Sequence, residues 1–162
     1  MGWTYHTNKT METLASFGLE FDFTAFPRPN YQWDNPLKDW STTGNKPYYP
    51  SKSDYRVSGE PQHDLLQIPI TTIVLPSKTD TDKEVIRNLN PAYRPHYFNK
   101  GLTNSSGSFI NTLTHPYELL KSDIGHEMLA FAIEAFEQNI QTMEQIGFNF
   151  VVASEYVKKQ IV

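Results

Sequence analysis

One stretch near the end of the chain sets the strongest limit on its fold. Gly125 to Ile146 carries Leu129, Ile133, Phe136, Ile140 and Met143, the apolar stripe of an amphipathic helix. Gly147 follows where helices commonly stop. Phe148 to Val152 then has the apolar, β-branched character of a strand. Upstream, Ser108 to Thr114 reads as another strand, and Ser154 as the cap of a short last helix. The order strand, loop, long helix, Gly, strand, helix predicts a right-handed βα crossover with parallel strands. The expected class is α/β.

The rest of the chain fits that class. Thr7 or Asn8 can cap a helix whose apolar side is Met11, Leu14, Ala15 and Phe17, with Gly18 ending it. Leu19, Phe21 and Phe23 alternate with Glu20 and Asp22, a strand pattern. Thr24 to about Gly59 is rich in Pro, Asn, Asp, Ser and Tyr and predicts a long ordered loop. Loops of that length usually serve a binding site or a lid. Asp64 to Leu75 is apolar but split by Pro69, so a bulged strand or two short strands are expected. Thr81 with Glu84 matches a capping box and predicts a helix to Leu89. Residues 90–107 predict loop, with one helical turn near Tyr93 to Asn99.

The 162 residues suffice for one domain with a core. Fourteen basic against eighteen acidic residues give a net charge of −4. With no basic stripe, that argues against nucleic acid as a partner. The absence of cysteine excludes disulfides and thiolate metal sites. No apolar run approaches membrane-spanning length, so no membrane partner is expected. The opening MGWTYHTNKT lacks the pattern of a signal peptide, and localisation stays unassigned. The sequons at Asn8 and Asn104 read as chance. Aromatics reach 14%, with nine Tyr and three Trp beside eleven Pro. Many crowd into residues 23–55, where they either stack on sugar rings or pin the loop to the core.

The stretch NTLTHPYEL, Asn111 to Leu119, bears most directly on function. In parallel βα folds, functional side chains gather at the C-terminal ends of strands. His115 sits at such an end, and Pro116 forces the chain out of the sheet. The imidazole is then either presented at the mouth of the fold or bonded to the following loop.

Three stretches together resemble the C-terminal half of the polysaccharide deacetylase (NodB-homology) family. GWTYHTNKTMETLASFGLEFDFTAF is similar to the family's Arg-x-Gly segment, which leads through a helix and a Gly to a strand bearing Asp. DLLQIPIT is similar to its Leu-Leu-Glu-Ile-Pro strand. LTHPYEL is similar to its closing Leu-x-His motif, followed as in the family by a helix and the strand GFNFVVASE. The resemblance implies part of an irregular (β/α) barrel of about seven strands. It implies removal of acetyl groups from N-acetylated, sometimes O-acetylated, sugars. A divalent, zinc-like metal held by an Asp and two His would polarise the amide and activate water, with an Asp as base. His115 would donate a proton to the departing amine. Leu113, two residues earlier on the same strand face, would line the acetyl pocket. Trp3, Tyr117 and Asp22 are the other positions expected to meet substrate.

The family's Asp-Asp and His-x-x-x-His motifs are missing from this sequence, as is the arginine of Arg-x-Gly. His6 begins HTNKT, but Thr10 stands where a second His ligand would be needed, so a loop or helix-entry role is expected. His63 is expected in a polar turn, His96 in a loop after a proline, and His126 at the start of the long helix. Asp34, Asp39, Asp54 and Asp64 scatter through loop. Asp22 ends a strand, where it either orients a catalytic group or caps the next turn. The expectation is therefore a single partial domain, residues 1–162, inactive alone. It would be the C-terminal portion of a carbohydrate deacetylase, with the metal present only alongside a missing N-terminal half. Its partners would be a carbohydrate and that half, or a second copy. The alternatives are a non-catalytic sugar-binding or assembly module of the same descent, and an unrelated α/β domain with a structural His115.

Overall fold

Thr7 opens the first element: its hydroxyl oxygen accepts the Thr10 N–H at 3.1 Å and caps helix α1 (Asn8–Ser16). The computed structural model of the chain describes residues 6–28, 39–76, 84–105, 109–120 and 127–160. They belong to two compact units, one of residues 1–70 with 151–162 and one of residues 71–150.

In the first unit α1 buries Met11. Gly18, at φ 75°, supplies the left-handed step that turns the chain into β1 (Phe21–Asp22). β1 pairs in parallel with β2 (Leu66–Gln67), Phe21 opposite Leu66 and Asp22 opposite Gln67. Leu66 N–H donates to Glu20 O at 2.9 Å and Ile68 N–H to Asp22 O at 2.8 Å. On its other side Gln67 exchanges backbone bonds with Tyr48 at 3.0 and 2.9 Å. The proline-rich stretch is thereby tied to β2 as an ordered loop over residues 39–65, while residues 29–38 lie outside the described part. Asn8 holds it at a second point: its side chain accepts Tyr55 N–H at 2.8 Å and donates to Ser53 O at 2.9 Å. The last helix of the chain (Ala153–Gln160) is in this unit.

In the second unit β3 (Thr72–Pro76) and β4 (Glu84–Asn88) form an antiparallel pair with Val74 opposite Ile86. Helix α2 (Pro95–Asn104) and helix α3 (Ile133–Gln145) complete it, and the last helix is accordingly α4. Ile73, Leu75, Leu89, Phe98, Met128 and Met143 form the centre of its core. Gly101 lets α2 lie close to β3: a Cβ there would collide with Ile73 Cδ1. Asn139, fully buried on α3, donates to Pro91 O at 2.8 Å and Tyr93 O at 2.7 Å.

The described residues thus make a mixed α/β arrangement with two sheets of two strands each. Pro69 does split Asp64–Leu75, into β2 and β3. Several expectations need correction. Residues 84–88 are a strand, not a helix, because Val85 and Ile86 pair with Leu75 and Val74. Residues 95–104 form a full helix rather than one turn. The described stretch before Ile133 is not helical, because its backbone bonds go elsewhere: Arg94 N–H to Met128 O at 2.7 Å and Ala130 N–H to Ala92 O at 3.0 Å. Phe131 then bends at φ 49° into α3. Residues 109–114 and 148–152 have strand sequences, yet they form no ladder among the described residues. α4 starts at Ala153, one residue before the expected cap. Among the described residues, no helix is long and apolar enough to cross a membrane.

Candidate functional site

The segment carrying His115 runs beside the residue before β3 and the residue after β4. Thr71 N–H donates to Asn111 O at 2.8 Å, and Asn111 N–H returns to Thr71 Oγ1 at 2.9 Å. Leu113 N–H approaches Leu89 O at 3.5 Å, and the Asn88 side chain donates to Leu113 O at 3.2 Å. Side chains thus replace half of what a ladder would provide, which is why strand-like sequence gives no regular strand.

Pro116 begins a 3-10 turn, Pro116–Leu119, whose N-cap is His115. Proline suits that first position, since its missing N–H would have no partner there anyway. Glu118 N–H donates to His115 O at 2.9 Å, and the Glu118 carboxylate accepts His115 N–H at 2.7 Å. The same carboxylate oxygen accepts the side chain of buried Asn90 at 2.9 Å. Asn90 Oδ1 in turn accepts Ala92 N–H at 2.9 Å and the Thr114 hydroxyl at 2.8 Å. Position 115 is therefore fixed through its peptide groups. Its half-buried ring lies against Tyr117, centroids 5.2 Å apart and planes 12° apart. Tyr117 is 60% exposed, and Leu113 is half-buried.

Asp22 lies in the first unit, in a different setting. Thr24 Oγ1 donates to Asp22 Oδ2 and sits 2.8 Å from His6 Nε2, which is itself 3.2 Å from the same carboxylate oxygen. With the Thr24 hydroxyl donating to Asp22, the proton of the second bond is assigned to His6 Nε2, which donates to Thr24 Oγ1. His6 is 6% exposed, its ring 5.3 Å from Trp40 and 6.4 Å from Tyr55. His6 Nδ1, Trp40 Nε1 and Gln67 Oε1 are buried with no hydrogen-bond partner among the described residues. The trio superficially matches a nucleophile, a base and an acid. A hydrolytic triad, however, needs the carboxylate to orient the imidazole from its far nitrogen. Here the carboxylate engages the hydroxyl and the near nitrogen, so the arrangement ties the end of β1 to the entry of α1.

A second charged group secures the loop. Arg56 grips Asp54 in bidentate fashion at 2.9 and 3.0 Å and also reaches Asp39. Hydrogen bonds from Arg56 hold the Asp54 carboxyl below its ordinary value, against partial burial. Burial pushes Asp39 up, but Ser41 and Arg56 together outweigh it and leave that carboxyl lowered too.

His63 is buried, contrary to its expected place in a polar turn, and burial lowers its imidazole. His96 is the second residue of α2, its exposed ring 4.1 Å from that of Tyr97. His126 and Trp3 lie outside the described residues. Among the described residues no three His, Cys, Asp or Glu side chains gather as a metal ion would require.

Of the expected substrate-facing set, Leu113, His115 and Tyr117 share one short segment of the second unit, while Asp22 belongs to the first. Asp22 was read as ending a strand and able to cap the next turn, which is where Thr24 meets it; the link to His6, eighteen residues from Thr24, was not readable. The Glu118 clasp was readable too, since an acidic residue three positions after a cap is the capping-box pattern. Against family models, curated proteins and solved structures, the chain has no match.

Proposed function

We propose that this chain supplies the proton-donating part of a metal-dependent carbohydrate deacetylase. It would form the C-terminal portion of an irregular (β/α) barrel of about seven strands. The observation that carries the reading is the setting of His115: its backbone is clamped by Glu118 while its ring stays partly open to solvent beside an exposed tyrosine. The parallel pairing of β1 with β2 supports it further, because those strands come from two of the stretches that resemble the family. Parallel neighbours require a long crossover of the kind βα folds use.

Cleaving an amide expels an amine, which is a poor leaving group until it is protonated. An imidazole held at hydrogen-bonding distance supplies that proton as the C–N bond breaks. The bond from the His115 N–H to the Glu118 carboxylate uses no ring nitrogen, while the capping box also turns the Glu118 N–H towards the His115 side chain. Leu113 would bound the acetyl methyl group. On this reading the metal and the base come from a complementary segment, and no step here passes through them.

The test is acetate release from N-acetylated oligosaccharides by the chain joined to a metal-bearing deacetylase half and loaded with zinc. His115→Ala should lower turnover on the order of 10²–10⁴-fold. Undiminished turnover in that variant would remove His115 from the mechanism. No turnover at full zinc loading would remove the deacetylase reading. The exposed face of Tyr117 favours one second reading, a module that binds sugar without cleaving it. Glycan binding that persists in His115→Ala, without turnover in any zinc-loaded assembly, would select that reading.

A further inference from the structure

We infer that Asn90 is a positioning residue for His115: its one side-chain amide ties the chain on both sides of the proposed proton donor to the end of β4. The inference rests on the deacetylase reading and deepens it. Asn90 follows Leu89, whose N–H donates to Thr71 O at 2.8 Å, and is itself only 2% exposed. Its side-chain nitrogen donates to Glu118 Oε2 at 2.9 Å, and the same carboxylate oxygen accepts the His115 N–H at 2.7 Å. Its side-chain oxygen accepts the Thr114 hydroxyl at 2.8 Å. Residues 114 and 118 are thus held by one buried group, with His115 between them. A carboxylate anchored by a core donor keeps the peptide it grips in one place, and a misplacement of about 1 Å can cost 10²-fold in rate.

Asn90 also caps its own turn. Its Oδ1 accepts Ala92 N–H at 2.9 Å, and its carbonyl accepts Tyr93 N–H at 3.0 Å. That task needs only an oxygen, and aspartate performs it as asparagine does. The bond to Glu118 needs the amide nitrogen, which the turn leaves unused. An aspartate at position 90 would set one carboxylate against another. The amide is therefore what the His115 segment demands and the turn does not.

The experiment follows amide exchange by NMR in the intact chain. Asn90→Asp should speed exchange of the His115 amide by about tenfold or more, the loss expected for a hydrogen bond to a charged group. It should also displace the His115 ring protons as the stack on Tyr117 shifts. The amides of Ala92 and of the β3–β4 ladder should keep their rates. Adding Glu118→Gln to that variant restores a donor opposite position 90 and should slow the His115 amide again. Thr114→Val cuts the other tie, leaves the buried amide in place, and should speed the same amide less. In the zinc-loaded assembly, Asn90→Asp should lower kcat on the order of 10²-fold with KM unchanged. An unaltered His115 amide in Asn90→Asp, equal loosening of His115, Ala92 and the ladder, no recovery in the double variant, or a loss carried by KM would overturn the inference while leaving the deacetylase reading standing. Loosening of His115 that Glu118→Gln reverses, with no turnover in the unsubstituted zinc-loaded assembly, would uphold the positioning and remove the deacetylase reading instead.

Discussion

The two units handle a histidine in opposite ways. In the first, His6 packs against the Trp40–Tyr55 pair, and one ring nitrogen is engaged by Thr24 and Asp22. In the second, the His115 peptide group bonds to Glu118 at both its N–H and its carbonyl, and the ring stacks on Tyr117. A ring bonded into a core cannot trade its proton without disturbing that core. A ring whose backbone carries the structural duty can. On the proposed reading, that contrast separates a residue that holds the fold from one that serves the chemistry.

The largest expected effect tests the second half of that contrast. His115→Ala should cost 10²–10⁴ in turnover of the zinc-loaded assembly, about 3–5 kcal/mol in barrier. Its unfolding free energy should change by less than about 0.5 kcal/mol. A large stability loss would mean the ring is structural after all. Next comes Trp40→Ala, which empties a fully buried site beside His6 and should cost about 3–5 kcal/mol in chemical denaturation. His6→Ala should cost about 1–3 kcal/mol by leaving Thr24 and Asp22 short of a partner. If it proved as mild as His115→Ala, the two histidines would not differ as described. A comparable loss, about 1–3 kcal/mol, is expected for Asn139→Ala, which strands the carbonyls of Pro91 and Tyr93.

The smallest effect concerns pH. Asp39 and Asp54 both have lowered pKa values in the folded state. Their stabilising contribution is complete above the unfolded carboxylate value of about 3.9 and is lost as pH falls through the lower folded values. These groups are partly exposed, so the Arg56 clasp is worth only about 0.2–1 kcal/mol. Arg56→Met should flatten the acid limb of the stability curve by that amount. An unchanged limb would show the clasp to be energetically silent.

Local signals in the sequence were reliable where the chain consumes its own hydrogen bonds. Thr7 caps α1, Gly18 ends it, and Pro69 separates two strands, all through effects confined to a few residues. The readings failed where distant partners decide. Val85 and Ile86 become strand because β3 offers Val74 and Leu75 as partners, overriding a capping-box pattern. Leu129 falls in phase with the α3 stripe, yet it bridges to Tyr93 instead. α2 was hidden by Gly101, a poor helix former whose lack of a side chain is what the approach to Ile73 demands. At the candidate site, the change of course at Pro116 was legible, whereas His115 read as a strand end and is the N-cap of a 3-10 turn. The ties from Asn90 to Thr114 and Glu118 span more than twenty residues and were not legible.

The parallel pairing of β1 with β2 has a kinetic side. Parallel strands cannot be closed by a tight turn, so the whole of residues 23–65 must be gathered before Asp22 meets Gln67. β3 and β4 meet across a much shorter connection, and loop closure favours them. During refolding, amides of the antiparallel pair should become protected from exchange before Leu66 and Ile68 do.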